Sequence, residues 1–210
     1  EANRVLQIGF PNWVAEQLNM QTVTGYNNLV QLQQGAFVSD PVKLQFFRNA
    51  MTAPDQLRQR VAWALSQIVV AANVGDQDGT GNPTAMVSQY QDILLRNAFG
   101  NYRTLIREMS VSPIMGTYLT LVNSQRANPT TGTQPDENYI RELWQLFTIG
   151  TFRLNTNGTV MLDGQGRPLE TYTIAEIQEG ARALTGWNYA PAAGQPNLGN
   201  NNPLNPFAPM

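Results

Sequence analysis

The sequence predicts an all-α (mainly α) fold, a multi-helix orthogonal bundle carrying one small β-hairpin. Three observations lead there. Apolar residues recur at three- and four-residue spacing through most of the chain. Capping residues and prolines at first-turn positions punctuate those runs. Alternation of apolar and polar residues, the strand signal, is confined to one stretch near 152–170.

A first helix covers roughly Ala2 to Ile8 and breaks at Gly9 and Pro11. Pro11 opens a second through Asn19, with Trp13, Val14 and Leu18 on one face. Residues 21–39 are amide-rich and weakly periodic, a loop with room for one helical turn. Asp40-Pro41, a cap followed by Pro at the first helical position, opens a helix to about Met51. The longest helix is expected from Asp55 to about Asn73. There Leu57, Val61, Ala64, Leu65, Ile68 and Val69 share a face, and nearly every residue after Val61 is apolar or small. This spacing places that helix at the core centre. A loop follows, then a helix from about Pro83 to Phe99 stopped by Gly100. Asn101 caps another through Met109, and Ser112-Pro113 starts a short one through Leu121. Residues 123–134 read as polar loop.

Pro135 to Gly150, PDENYIRELWQLFTIG, reads as one helix capped by Asp136 and stopped by Gly150. The alternation beyond it, with turn signals at Asn157-Gly158 and Asp163-Gly164, predicts the hairpin at about 152–170. Thr173 and Glu176 form a capping box for the last helix, which Gly186 ends. Residues 1–187 are therefore expected as a helical domain. Residues 188–210, rich in Pro and Asn, are expected as an extended arm or a truncated connection. No internal repeat is evident. The first helical pattern begins without a Met, so the chain reads as a piece of a longer protein.

Composition narrows the chemistry. Charged residues make up 13%, about half the usual share of ~25%, so amides and hydroxyls must supply much of the polar surface. The net charge of −2 argues against a nucleic-acid partner. No apolar run approaches the ~20 residues of a membrane helix. Cys and His are both absent, which removes thiol nucleophiles, imidazole acid–base groups and the usual zinc ligands from these residues. Any catalyst confined to this segment would rely on carboxylates, Tyr, Ser/Thr, Arg or the single lysine, Lys43.

The densest chemistry sits on the segment from Asp136. Asn138, Arg141, Glu142 and Gln145 share one side at helical spacing, beside an apolar stripe of Leu143, Leu146 and Phe147. Glu142 is the candidate general base or metal ligand, with Arg141 and Asn138 orienting a substrate. The competing reading is a polar packing layer in which Arg141 pairs with Glu137 or Glu142. Asp76, Asp78 and Thr80 resemble the front of a calcium loop but lack its closing Glu, and read as a solvated turn. Arg58, Arg60, Arg103 and Arg107 could hold an anion; pairing with Asp55 or Glu108 is the simpler expectation. The residues leave any cofactor, and any metal beyond a role for Glu142 as ligand, unknown.

Four blocks in this order carry a family resemblance. They are DQLRQRVAWALSQIVV (55–70), YQDILLRNAFGNYRTLIREMSVSPIMGTYL (90–119), PDENYIRELWQLFTIG (135–150) and YTIAEIQEGARALTGW (172–187). Together they resemble the bacterial family catalogued as domain of unknown function 1800, over roughly residues 1 to 190. By position Glu137, Asn138, Arg141 and Glu142 match the family motif, and Gly186-Trp187 matches its closing pair. The resemblance implies a larger, mainly helical, often exported protein whose genes commonly neighbour those of a sulfatase-like exported family. It brings no established activity. Many members place a His where this chain has Phe147, and another within the segment corresponding to Ala64 to Gln67.

Two readings follow. The first is an exported bacterial structural or interaction protein, periplasmic or secreted, with a sulfatase-like exported protein as the partner the resemblance implies. The second is a hydrolase or metal-dependent enzyme using Glu142 with Asn138 and Arg141, completed by residues outside this chain. A carbohydrate-binding module would require a solvent-facing platform of Trp and Tyr.

Overall fold

Apolar helix faces converge on one segment, Pro83–Arg96, which buries Ala85, Met86, Tyr90, Ile93, Leu94 and Leu95. The computed structural model describes residues 1–21, 23–26, 41–72, 83–191, 193–202, 205 and 208–210. Among these residues nine α-helices occur and no sheet. The first five are α1 (Ala2–Ile8), α2 (Phe10–Asn19), α3 (Pro41–Thr52), α4 (Gln56–Ser66) and α5 (Pro83–Arg96). The others are α6 (Tyr102–Ser110), α7 (Pro113–Tyr118), α8 (Asn138–Glu142) and α9 (Ile174–Ala183). Expectations for residues 27–39, for the cap Asp40 and for the calcium-like loop at 76–80 lie outside the described residues.

The central helix is α5, not the one that the apolar spacing singled out. Helix α4 stops at Ser66, well short of Asn73, and presents Trp63 to solvent at 55% exposure. Two causes act together. Ile68, Val69 and Val70 are β-branched and lose side-chain freedom in a helix. The Tyr90 hydroxyl then donates to the Val69 carbonyl at 2.9 Å, taking the acceptor that a continuing helix would need. Val69 itself is fully buried. Helix α6 follows expectation: Asn101 accepts the Arg103 N–H, and Leu105 and Met109, one turn apart, enter the core. Each such side chain stabilises by about 1.5–3 kcal/mol on full burial.

Low charge is matched by a buried polar network. Asn49, Asp55 and Gln56 are all nearly inaccessible. Asp55 precedes α4 but does not cap it. Its carboxylate accepts the Thr24 N–H at 3.0 Å, while Asn49 and Gln59 donate to the Thr24 carbonyl at 3.1 and 2.9 Å. Asp92 of α5 accepts the Tyr26 N–H at 2.8 Å, leaving its Oδ2 buried without a partner. Arg58 does not pair with Asp55. It donates to the Leu95 carbonyl and lies over the Phe99 ring at 4.7 Å.

The expected hairpin is instead a closed three-cornered knot. Isolated antiparallel bridges join Phe152 to Glu170, Leu154 to Val160, and Leu162 to Pro168. Inside them the hydrogen bonds run in a ring: Met161 N–H to Arg153 O, Leu169 N–H to Met161 O, and Arg153 N–H to Leu169 O. Each middle residue divides its donor and acceptor between two different neighbours, so no two-stranded ladder extends beyond one bridge. Middle residues fall eight apart, as do Gly158 and Gly166, both at positive φ. Leu-Asn-Thr-Asn-Gly at 154–158 and Leu-Asp-Gly-Gln-Gly at 162–166 are thus a short internal duplication that becomes evident only with the bridges, in place of the expected absence of repeats.

The last helix packs against α8 through a gap made by glycine. A Cβ on Gly180 would lie 2.7 Å from Ile140 Cγ1. Ile140, Ile177 and Ala181 form the buried cluster there. The chain then returns to the helices: Met210 donates its N–H to the Val111 carbonyl at 2.8 Å, and a Cβ on Gly116 would collide with the Met210 sulfur.

Burial holds the Asp92 carboxyl above the usual carboxylate range, opposed by the Tyr26 N–H and the Arg96 charge. The folded state therefore binds that proton more tightly than the unfolded chain. Its cost is absent below the unfolded carboxylate range and grows as pH rises through the folded value. Asp92→Asn keeps an acceptor for Tyr26 and removes the charge. Melting curves from about pH 3 to about pH 8 are expected to show this variant gaining on the native protein with rising pH; a constant difference would refute the assignment. Gly180→Ala is expected to cost about 1–3 kcal/mol by overpacking. Ile140→Ala should recover part of that loss in a double-mutant cycle, and strict additivity would show that the two residues do not collide.

Candidate functional site

The segment from Asp136 begins as expected and then departs from an α-helix. Asp136 Oδ1 accepts the Asn138 N–H at 2.8 Å, and Tyr139 and Ile140 point into the core. After Glu142 the chain widens into a π turn, Leu143–Phe147. Ile149 N–H reaches back to the Trp144 carbonyl, Thr148 Oγ1 donates to the Leu143 carbonyl, and Gly150 ends the segment at φ 72°. The wide turn changes the phase of the side chains. Phe147 is buried as expected, but Leu146 is turned out to solvent, so the predicted apolar stripe is broken.

Among the described residues Arg141 and Asn138 have separate partners, and Glu142 Oε2 has none. Arg141 binds Glu137 at 2.6 Å, both about one-third exposed, in the packing arrangement that competed with catalysis. Asn138 is exposed, and its amide meets Thr120 Oγ1 at 3.4 Å. Glu142 is half-buried, and its Oε2 is sealed from solvent without a hydrogen-bond partner. Among the described residues no three carboxylates gather as metal ligands. A cavity of about 210 Å³ lies elsewhere, against α5 and the start of α7, and Glu142 does not line it.

The segment also bonds to one short loop. Asp136 donates its N–H to Ser124 Oγ, Asn138 reaches Thr120, Gly186 donates to the Ser124 carbonyl, and Asn123 donates to the Trp187 carbonyl. The two most specific sequence blocks, 135–150 and 172–187, therefore meet through residues 120–124. That loop is strained: Thr120 and Asn123 are the two non-glycine residues at positive φ among those described, at 57° and 63°. For a β-branched Thr this is costly, of order 1–3 kcal/mol. No motif marked these residues in the sequence. Trp13 and Trp187 are each half-buried, with Trp13 bonded to Glu1 and stacked beside Phe10, which leaves them unlike an open platform.

Two tyrosines fix the segment in place. Tyr139 Oη donates to Ser110 Oγ at 2.5 Å, and Tyr102 Oη donates to the Phe147 carbonyl at 2.6 Å. Burial raises both phenols above their ordinary value, so they remain donors at neutral pH. Tyr139→Phe is expected to cost about 1 kcal/mol by chemical denaturation, the worth of a buried hydrogen bond. Glu137→Ala should cost less than about 0.5 kcal/mol, because that ion pair is solvated. Equal losses would show that the exposed pair, not the buried tyrosine, anchors the segment.

No curated protein and no solved structure matches the chain. A family model described as "Protein of unknown function (DUF1800)" matches residues 1–208. The match covers nearly the whole chain, and the chain belongs to this family.

Proposed function

We propose that the protein is an exported bacterial structural or interaction protein, working as part of a longer chain. The carrying observation is the three-cornered knot. Its backbone closes on itself through three bridges and a ring of hydrogen bonds, yet it holds Phe152, Leu154, Val160, Met161 and Leu162 in solvent. A closed backbone loses little further entropy on docking, so apolar side chains held this way suit recognition of another surface. Export and a sulfatase-like exported partner are supported by the family resemblance. Leu6, Phe10, Leu44, Phe47 and Met51 are also exposed, which supports further covering chain or partner surface on α1–α3.

The test uses the full-length protein in its host. Leu154→Asp with Leu162→Asp should leave the circular dichroism melt unchanged and abolish cross-linking to the neighbouring sulfatase-like protein. Undiminished cross-linking by the folded double variant would reject the reading.

A second reading, a hydrolase or metal-dependent enzyme, is favoured by one specific observation. Glu142 keeps an unpartnered buried oxygen at the point where the helix widens into a π turn, a feature frequent at functional sites. In that reading Glu142 is the base, and Asn138 and Arg141 position the substrate, with residues beyond this chain completing the site. Glu142→Gln in the full-length protein would then abolish hydrolysis of an ester, phosphate or glycoside substrate turned over by the native protein. Retained turnover in the variant would remove Glu142 from the mechanism.

A further inference from the structure

The cavity of about 210 Å³ between α5, the Val111–Pro113 junction and the returning chain at Ala208–Pro209 contains polar groups that the fold does not use. Ser112 is the clearest. It precedes α7 with Pro113 at the first helical position, where a serine hydroxyl ordinarily accepts an N–H of the first turn. Here it makes no such bond, although the residue is only 4% exposed and lines the cavity. Giving up a cap leaves a buried hydroxyl free to serve a bound molecule.

The charged groups at the cavity form a second, complementary pattern. Arg96 Nε donates to Glu108 Oε2 at 2.8 Å, and Asn97 Nδ2 donates to the same oxygen at 2.8 Å. The pair lies at the cavity mouth, its side chains 49% and 34% exposed, and Glu108 Oε1 and the terminal nitrogens of Arg96 make no protein hydrogen bond among the described residues. A donor fork therefore stands beside a carboxylate acceptor, and the walls carry no net charge. The opposite wall is apolar, formed by Ile93, Val111, Pro113 and Pro209. The volume is below the ~300 Å³ of drug-sized pockets, so the occupant is small.

We propose that this cavity binds a free α-amino acid with a medium-sized aliphatic side chain. The ligand carboxylate takes the Arg96 fork and the Ser112 hydroxyl, its ammonium takes Glu108 Oε1, and its side chain lies on Ile93 and Pro113. A simple anion would leave Glu108 repelling it, and a simple cation would meet Arg96. A molecule carrying an ammonium and a carboxylate on one carbon suits both groups. This site is separate from the signature segment, so its failure and the failure of the proposed function are independent.

L-leucine at about 10 mM is expected to raise the melting temperature of the native full-length protein, and titration calorimetry should give a saturable isotherm. N-acetyl-leucine, which lacks the ammonium, and leucinamide, which lacks the carboxylate, are each expected to bind roughly tenfold to a hundredfold more weakly. Ser112→Ala and Arg96→Lys should weaken leucine binding about tenfold while the circular dichroism spectrum is retained. Two variants guard against loss of folding in either one. No leucine binding by the native protein overturns the assignment. So does equal binding of N-acetyl-leucine, or leucine binding unchanged in both variants. Glycerol binding as well as leucine would point to a nonspecific polyol cleft and would also overturn it.

Discussion

The backbone of Thr24 and Tyr26 is gripped by side chains from α3, α4 and α5, and the packing of the N-terminal half depends on that grip. Both polar groups of the Thr24 peptide are satisfied by Asn49, Asp55 and Gln59, and the Tyr26 N–H by Asp92. In a low-dielectric interior each of these bonds is stronger than in water, and each partner would be costly if left alone. Satisfaction therefore requires the helices at one relative placement. Asn49 and Gln56 extend the same logic, since Gln56 Nε2 donates to the carbonyls of Asn49 and Ala53 at the turn between α3 and α4. Gln17 completes it from α2, donating to the Pro54 carbonyl and accepting the Leu57 N–H. Here the helices are located by buried amides and carboxylates that bond to backbone. Gly25 is part of this constraint: a Cβ there would lie 2.6 Å from Asp92 Oδ1, so no side chain fits at that close approach.

The grip explains where the sequence was legible and where it was not. Local signals survived intact. Thr173 and Glu176 form the reciprocal capping box, Asn101 caps α6, and Ala2–Ile8 is a helix with its expected bounds. Each depends on groups within four residues of one another. The helix expected from Asp55 to Asn73 failed for a tertiary reason. Its periodicity is real, but the competing donor to its carbonyls, Tyr90, is distant in sequence. With its continuation gone, α4 loses the central place, and the 83–96 segment takes it. Asp55, expected as the start of that helix and as an arginine partner, instead gives its carboxylate to Thr24.

The knot at 152–170 shows a different limit. Alternation and turn signals identified extended segments and tight turns correctly, and Asn157 and Asp163 do accept N–H groups within their turns. Alternation says which residues share a face but not how many neighbours a segment pairs with. Two segments with two turns suggest a hairpin. A third segment, Pro168–Glu170, pairs at both ends and closes the ring, which leaves single bridges in place of a ladder. The eight-residue recurrence of Leu, an amide or acid, and Gly was present in the sequence all along. It is too short and too degenerate to register as a repeat without the ring that gives it meaning.

For the candidate site the sequence marks a segment of dense polar groups but not its setting. Glu142, Arg141 and Asn138 are where the motif put them, but spacing on an ideal helix cannot reveal a π turn, nor a loop that arrives from residues 120–124. That loop is where the physical argument now concentrates. Two residues are held at positive φ, and both are bounded by bonds to the two most distinctive blocks of the chain. Strain of this kind persists only where the surroundings over-determine it. Here four hydrogen bonds from α8, its cap and the Gly186-Trp187 pair supply that determination. The loop, in turn, joins the segment bearing Glu142 to the helix whose Gly180 admits Ile140. Displacement of either block would release the strain in the loop, so the geometry around Glu142 is coupled to the packing of α9 and to the chain that follows Trp187.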